Sequence, residues 1–307
     1  MAFQRIKPPA LKVGDTVAVV APAAAIERAY LERGVNALRA MGFRVKVSER
    51  VLARAGILAG ADADRARELQ EAFADDAVRA IFAARGGYGC GRILPLLDFA
   101  AIARSPKAFV GYSDETFLLN TIVQRSGMVA FHGPMVAMDF ARGLSARSVD
   151  HMRRLLCGEL HSFELEARES IKPGKAEGEI IGGCLSVVVA MLATSYVPDF
   201  KGKVLFLEDT GERAYRVDRM LVQLRQSGAL GGIVALVVGA IQPVEGSEPE
   251  GRAIAEFIAE QTADLGIPVL TGVEAGHGTE NLTIPFGVRV KVDGGTRKIH
   301  FADAPVS

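Results

Sequence analysis

The sequence predicts an α/β protein whose N-terminal part forms a doubly wound parallel sheet and whose C-terminal part forms a second α/β domain. Three observations support this: short apolar runs rich in β-branched residues, helical segments that alternate with them, and a charged interval after which the alternation restarts. Continuous apolar runs are typical of strands buried on both faces of a parallel sheet. Strands that alternate with helices indicate βαβ units.

The bulk composition limits the classes of function. The 307 residues leave room for two ordinary domains. Lys plus Arg (36) equals Asp plus Glu (36), and the basic residues are dispersed, so we expect neither nucleic-acid binding nor a polybasic membrane patch. Three scattered cysteines make no disulfide framework, and Met1–Pro9 contains no apolar signal core. We therefore expect a cytoplasmic protein without a membrane segment.

The N-terminal part carries the clearest alternation. The run Thr16–Ala21 is continuously apolar and ends at Pro22, which predicts a buried first strand. Apolar residues three or four apart in Tyr30–Met41 predict a helix that ends at Gly42. The same patterns predict strands at Phe43–Val47, Ala80–Ala84 and Ala108–Gly111, and helices at Ala63–Ala74 and Glu115–Gln124.

A charged interval follows, and it contains Lys172-Pro173-Gly174-Lys175 and one predicted helix, Ala146–Leu156. We expect a first domain at residues 1–140, a linker at 141–178 and a second domain at 179–307. The second domain is predicted to contain helices at Leu185–Thr194, Val217–Ser227 and Gly251–Leu265, strands at Lys203–Glu208, Ile233–Gly239 and Pro268–Thr271, and a hairpin of Val288–Val292 and Lys298–Phe301.

Ser113, in Gly111-Tyr112-Ser113-Asp114-Glu115-Thr116, is a candidate nucleophile. It lies between a predicted strand and a predicted helix, where a serine hydroxyl projects at the carboxyl end of the sheet and helix N–H groups can face an oxyanion. The match to a nucleophile elbow is partial, because the second glycine is absent. The alternative is that Ser113 is only the N-cap of the helix, a role that serine commonly fills.

His277 is the candidate general base, because glycines flank it in Glu274-Ala275-Gly276-His277-Gly278 just after a predicted strand. The alternative is an ordinary histidine in a glycine-rich turn. Glu208 ends a predicted strand, where open α/β sheets place their sites, and could orient the imidazole. Asp209 and Glu212 compete for this role, and Glu212 is the weaker candidate because it lies beyond Gly211.

The segment Arg85-Gly86-Gly87-Tyr88-Gly89-Cys90-Gly91 could supply an oxyanion donor or bind phosphate through its N–H groups. It fits neither the P-loop nor the dinucleotide-binding pattern, and the first βα turn lacks glycine, so a nucleotide role is disfavoured. No histidine pair has metal-ligand spacing, so we expect no metal. His132 stands alone and is interpreted as structural or pocket-lining.

Five segments occur in order along the chain: ARGGYGCGRILPLLD, GYSDET, GGCLS, LFLED and EAGHGTENLTIPFG. Together they resemble the LD-carboxypeptidase family of serine peptidases, which includes muramoyltetrapeptide carboxypeptidases and microcin C self-immunity peptidases. The resemblance extends from the TVAVVAPA strand to the IPFG segment. One departure is Cys184, where family members commonly have Asn, and it affects the expected loop geometry and substrate contacts.

The resemblance implies a triad of Ser113, Glu208 and His277. It also implies an oxyanion hole formed by the N–H of Asp114 and of a glycine in the Gly86-Gly87 loop, of which Gly87 is favoured. An N-terminal Rossmann-like domain, a smaller C-terminal α/β domain, a homodimer and the absence of cofactor and metal are further implications.

The implied reaction is hydrolysis of the peptide bond to a C-terminal D-amino acid, most directly D-Ala of a murein tetrapeptide in peptidoglycan recycling. A peptidase acting on a microcin-C-like peptidyl nucleotide is the alternative within the family. A non-catalytic small-molecule-binding α/β module is the alternative outside it, because a fold does not fix function. The sequence does not identify the substrate-binding residues.

Overall fold

The computed structural model describes residues 5–244 and 248–307, so residues 1–4 of the predicted first domain lie outside it. The chain forms two compact units. Unit 1 contains the chain up to His161 together with Leu282–Gly287 and Ala304–Ser307, and unit 2 contains Ser162–Asn281 and Val288–Asp303.

Fourteen strands are present in the described residues. They are β1 (Thr16–Val20), β2 (Arg44–Val47), β3 (Val78–Ala83), β4 (Ala108–Gly111), β5 (Ala130–His132), β6 (Phe163–Glu166), β7 (Glu169–Lys172), β8 (Lys175–Cys184), β9 (Lys203–Glu212), β10 (Ala235–Pro243), β11 (Val269–Thr271), β12 (Ile284–Phe286), β13 (Arg289–Asp293) and β14 (Lys298–Phe301).

The α-helices of the same residues are α1 (Arg28–Ala40), α2 (Asp62–Ala74), α3 (Cys90–Ile93), α4 (Phe99–Arg104), α5 (Thr116–Thr121), α6 (Ala146–Leu156), α7 (Leu185–Met191), α8 (Ala214–Gln226), α9 (Ala229–Gly232) and α10 (Glu248–Thr262). Three 3₁₀ turns span Glu49–Leu52, Leu94–Leu96 and Ser113–Glu115, and two π-helical turns span Ile122–Ser126 and Val136–Phe140. None of the helices in the described part of the chain combines the length and apolar character needed to cross a membrane.

The sheet of unit 1 has the order β12-β5-β4-β3-β1-β2. The strands β1 to β5 run parallel to their neighbours, and β12 pairs antiparallel with β5 at the edge. This is the 2-1-3-4-5 order of a doubly wound sheet, in which the strand order reverses between β1 and β3. The predicted fold class is therefore confirmed. Val17–Val20 of β1 is buried throughout, as its apolar run predicts.

Unit 2 contains a mixed eight-stranded sheet in the order β6-β14-β13-β8-β9-β10-β11-β7. Its centre, β8-β9-β10-β11, is parallel, whereas β7, β13, β14 and β6 pair antiparallel at the two sides. The predicted hairpin of β13 and β14 is present, with Val290 opposite Phe301.

The segment predicted as a linker, residues 141–178, forms regular structure. Its first part is the predicted helix α6, which belongs to unit 1. The remainder forms β6, β7 and the start of β8, which pair within the sheet of unit 2. These strands are charged because much of their surface is exposed, so their composition resembles that of a linker.

The helix predicted at Glu115–Gln124 is divided in the structure into a 3₁₀ turn, α5 and a π-helical turn. Asn120 Nδ2 donates to the Thr116 carbonyl at 2.8 Å and Thr121 Oγ1 donates to the Phe117 carbonyl at 2.7 Å. Side chains that bond to carbonyls four residues earlier compete with regular helix bonding. Gly127, at φ +66°, then ends the segment in a left-handed conformation.

Candidate active site

Ser113 occupies a strained turn in unit 1, directly after β4. Its φ is +63°, in the left-handed region that residues other than glycine seldom adopt. Such strain costs on the order of 1–3 kcal/mol and is found mainly at functional sites. Tyr112 is the N-cap of the 3₁₀ turn that Ser113 begins, and no side chain caps that turn. The interpretation of Ser113 as a helix N-cap is therefore wrong.

Two glycines let the backbone approach this turn closely. A Cβ atom on Gly86 would lie 2.8 Å from Cβ and 3.0 Å from Oγ of Ser113. A Cβ atom on Gly111 would lie 3.0 Å from the Ala83 Cβ and 3.0 Å from the Glu115 Cγ. A side chain at Gly86 would displace Ser113, so that position requires glycine. At Gly111 the contacts are tight, and a side chain there would need its neighbours to shift by a few tenths of an ångström.

The favoured oxyanion donors are the N–H groups of Asp114, which directly follows Ser113, and of Gly87, which directly follows Gly86. Asp114 contributes the second amide of the 3₁₀ turn, where N–H groups have no partner within the helix. Gly87 follows the close contact of Gly86 with Ser113 and has φ +105°, a conformation suited to glycine. A Cβ atom there would lie 2.9 Å from the Ala24 Cβ.

Buried acidic groups lie beside the Ser113 turn. Glu115 is 0% exposed, and its burial raises its pKa well above the ordinary value. The Cys90 thiol donates to Glu115 Oε1 at 3.9 Å, while Oε2 has no hydrogen-bond partner among the described residues. Burial also raises the pKa of Asp114, whose carboxylate accepts from the Cys90 N–H at 2.7 Å.

Sequence reasoning missed Glu115 as a residue of the site. An acidic residue in the first turn of a helix is common, and that pattern gives no sign of burial. Gly86, Gly111 and Cys90 lie against the Glu115 side chain in the fold, and sequence patterns do not report these contacts.

In unit 2, Glu208 binds His277 twice. Glu208 lies in β9 and is 0% exposed. Its Oε2 accepts from His277 Nδ1 at 2.7 Å and from the His277 backbone N–H at 3.1 Å. A carboxylate accepts hydrogen bonds, so Nδ1 carries the proton and Nε2 of a neutral ring has a lone pair available as a base.

The loop before His277 is shaped around this carboxylate. Gly276 has φ +91°, and a Cβ atom there would lie 2.4 Å from Glu208 Oε2. The Gly276 N–H donates to the side chain of the fully buried Asn281 at 3.0 Å. The bond to Glu208 fixes the Nδ1 edge of the ring. The His277 side chain remains 17% exposed, so the ring is not fully enclosed.

The rival acids have other partners. Asp209 accepts from the Ser186 N–H at 2.7 Å and the Thr210 N–H at 2.8 Å, and burial raises its pKa. Cys184, opposite Glu208 in the sheet, donates to Asp209 at 3.4 Å. Glu212 forms an ion pair with Arg216 at 2.8 Å.

The predicted residues thus form two groups. Ser113, Asp114, Gly86 and Gly87 lie in unit 1, and the contacting pair Glu208 and His277 lies in unit 2. His132 is a fully buried residue of β5 whose ring meets Tyr112 edge-on at 5.6 Å, as expected for a structural residue. Among residues 5–244 and 248–307, no cluster of three His, Cys, Asp or Glu side chains is placed to hold a metal ion.

Family profiles match both halves of the chain. The profile of the LD-carboxypeptidase N-terminal domain matches residues 17–133, and that of the LD-carboxypeptidase C-terminal domain matches residues 177–292. The chain belongs to the LD-carboxypeptidase family. The resemblance drawn from the sequence motifs is therefore confirmed, and so is the predicted class of serine-type carboxypeptidase.

Individual relatives cover nearly the whole chain. A "probable murein peptide carboxypeptidase" of Bacillus subtilis is 36% identical over 94% of this chain and 91% of its own length. The crystal structure of muramoyltetrapeptide carboxypeptidase from Oxalobacter formigenes has a TM-score of 0.84 at 33% identity and covers 95% of this chain and all of its own. The microcin C7 self-immunity protein of Escherichia coli is more distant, with 26% identity over 97% of this chain and 96% of its own.

Proposed function

We propose that this LD-carboxypeptidase hydrolyses the bond to the C-terminal D-alanine of a murein tetrapeptide, with Ser113 as nucleophile, His277 as general base and Glu208 as the residue that orients the base. The observation that carries the proposal is the 2.7 Å hydrogen bond from His277 Nδ1 to the fully buried Glu208. A general base needs one ring nitrogen fixed as a donor so that the other can accept a proton. The named murein peptidases among the relatives support the choice of substrate.

The reaction has two steps. His277 Nε2 takes the hydroxyl proton of Ser113 as Oγ attacks the carbonyl carbon, and the protonated imidazole then gives this proton to the leaving amine of D-alanine. Water hydrolyses the acyl-enzyme in the second step, again with His277 as base. Glu208 stabilises the imidazolium that forms in each step.

The backbone N–H groups of Gly87 and Asp114 are proposed as the oxyanion donors. The positive φ of Ser113 and of Gly87 supports this choice, since both orient the adjoining amides away from regular helix and strand bonding. Loss of one such donor costs roughly 3 kcal/mol of transition-state stabilisation.

We further propose a cytoplasmic homodimer with a Rossmann-like first domain carrying the nucleophile and a second domain carrying Glu208 and His277. The free thiols of Cys90, Cys157 and Cys184 support the location, because cytosolic proteins seldom form disulfides, and the family resemblance supports the dimer. Size-exclusion chromatography with light scattering tests the dimer: a monomer at micromolar concentration would contradict it.

Purified muropeptides test the proposed reaction. We expect the protein to convert the tetrapeptide to the tripeptide with release of one D-alanine, measured by liquid chromatography with mass spectrometry, and we expect a fluorophosphonate probe to label Ser113. Labelling without D-alanine release would keep the serine hydrolase and reject this substrate. Absence of both, in protein that melts cooperatively, would reject the catalytic assignment.

A further inference from the structure

A small cavity of about 100 Å³ opens in unit 1 at the point where the strand order reverses. Tyr30 and Glu27, on its wall, follow β1, and Arg85 follows β3. Doubly wound sheets bind their ligands at the carboxyl ends of the strands that flank this reversal. The cavity therefore occupies the position where this fold is expected to hold a small molecule, and its volume exceeds what one water molecule needs.

The cavity lies one residue from the turn that holds the proposed nucleophile. Arg85 directly precedes Gly86, and a Cβ atom on Gly86 would lie 2.8 Å from the Ser113 Cβ. Arg85 also lies only two residues before the proposed oxyanion donor Gly87, so the cavity and the donor share one short segment of chain.

The walls of the cavity are held by close backbone packing. Gly34 lets α1 approach the π-helical turn Val136–Phe140, since a Cβ atom there would lie 1.9 Å from the Val136 carbonyl oxygen. The Ala137 N–H donates to the Ala84 carbonyl at 2.7 Å, which fixes the same turn to the end of β3. π-Helical turns occur frequently at functional sites.

The charge of the cavity favours an anion. Arg85 and Arg142 line it, and Glu27 is the one acidic side chain among its lining residues. The Arg85 Nε–H is buried and has no acceptor among the described residues, and its Nη1 makes only a long bond of 3.4 Å to the Ala25 carbonyl. Among the described residues no carboxylate within 4.0 Å forms an ion pair with Arg85 or Arg142, and the charge of Arg85 acts on the buried Glu115, whose pKa it lowers against the larger effect of burial.

We propose that this cavity is the subsite for the α-carboxylate of the substrate's C-terminal D-amino acid, and that Arg85 and Arg142 bind it. Arginine is suited to this task because its planar guanidinium donates to both oxygens of a carboxylate. The apolar Ile26, Ala137 and Met138 complete the lining and leave room for a small side chain. This inference rests on the proposed function and adds the reason why the enzyme acts at a chain end.

Two matched substrates test the subsite: a murein tetrapeptide with a free terminal carboxylate and the same peptide with a terminal amide. We expect the wild-type protein to prefer the free acid in kcat/KM by roughly a hundredfold, since a charged hydrogen-bonded pair is lost with the amide. Arg142→Gln should lower this preference about tenfold or more by slowing cleavage of the acid alone.

Controls separate a local effect from misfolding. Arg28→Gln removes the same charge from an exposed residue of α1 that does not line the cavity, and it should keep the wild-type preference. Arg85→Lys keeps a charge beside Gly86 and should lose part of the preference while retaining amide cleavage. A variant that loses activity on both substrates equally reports damage to the catalytic turn.

The outcomes also separate this inference from the proposed function. A wild-type protein that cleaves neither peptide contradicts the proposed function itself. A wild-type protein that cleaves acid and amide equally, or Arg142→Gln and Arg85→Lys variants that keep the full preference, would leave the peptidase standing and overturn the subsite.

Discussion

Ser113 and His277 are held in place by different physical means. In unit 1 the backbone positions Ser113: its φ of +63° and the contact with Gly86 define where the hydroxyl can be. In unit 2 a buried carboxylate positions His277 through two hydrogen bonds, with Gly276 making room for it. The proposed nucleophile should therefore respond to changes in volume and backbone freedom, and the proposed base to changes in charge.

Removing the proposed nucleophile should give the largest effect. Ser113→Ala should lower kcat by about 10⁴-fold or more, because members of a catalytic triad act as a unit. Ser113→Gly should be equally inactive but more stable than Ser113→Ala by about 1 kcal/mol, because glycine adopts the left-handed conformation without steric cost. Turnover assays and urea denaturation measure the two quantities. Equal stability of the two variants would contradict the strain assigned to this turn.

Neutralising the orienting acid should come next. Glu208→Gln keeps the shape of the side chain but removes the charge that stabilises the imidazolium, and we expect kcat to fall by roughly 10³- to 10⁴-fold. Asp209→Asn is the matched control, since Asp209 binds the Ser186 and Thr210 amides. It should reduce stability and leave kcat within about tenfold of the wild type. A larger loss of kcat in Asp209→Asn than in Glu208→Gln would reverse the assignment.

A steric change in unit 2 should have an intermediate effect. In Gly276→Ala the new methyl group would lie 2.4 Å from Glu208 Oε2, so the carboxylate must shift and the imidazole that it binds should shift with it. Displacement of a catalytic group by about 1 Å costs on the order of a hundredfold in rate. Gly278→Ala is the control, because its nearest neighbour would be 3.1 Å away and its φ is not positive. Comparable kcat values for the two variants would show that the loop around His277 accommodates the methyl group without displacing the imidazole.

The smallest effect concerns the pH dependence of stability. Burial raises the pKa of Glu115 in the folded state, so the folded protein keeps a proton that the unfolded chain releases above about pH 4.3. The free energy of unfolding contributed by this group therefore falls as the pH rises from there through the folded pKa.

Glu115→Gln should remove this contribution, so its stability should decline less steeply than that of the wild type between about pH 5 and about pH 9. Urea denaturation across this range measures the slope. Glu32→Gln, an exposed change on α1, should match the wild-type slope. Parallel curves for Glu115→Gln and the wild type would show that the buried carboxyl group is not held neutral.

Local sequence signals predicted the buried strands of unit 1 whose apolar runs are uninterrupted. Strand β4 was predicted at its observed bounds, and β1 and β3 within two residues, because their runs are apolar on both faces. Strands β6 and β7 were missed because they are short, charged and partly exposed. The three-residue strands β5 and β12 carry no local signal, since their pairing joins distant parts of the chain.

The candidate site divides in the same way. Sequence motifs gave Ser113 and His277 as candidates, but the residues by themselves left Glu208 and Asp209 as rivals. Neighbouring residues of a strand point to opposite faces, and sequence alone does not say which face meets the histidine. The buried state of Glu115 and the two-arginine cavity depend on contacts between β3, α1 and the turn at Val136–Phe140, which no short pattern encodes.

The antiparallel strand β12 has a consequence for how the protein is made. Ile284 pairs with His132 across about 150 residues of chain, and the intervening residues include most of unit 2. A ribosome releases the chain from its N-terminal end, so β5 emerges with an open edge long before β12 exists. We expect the sheet that bears Ser113 to be completed only after the segment that bears His277 has been synthesised.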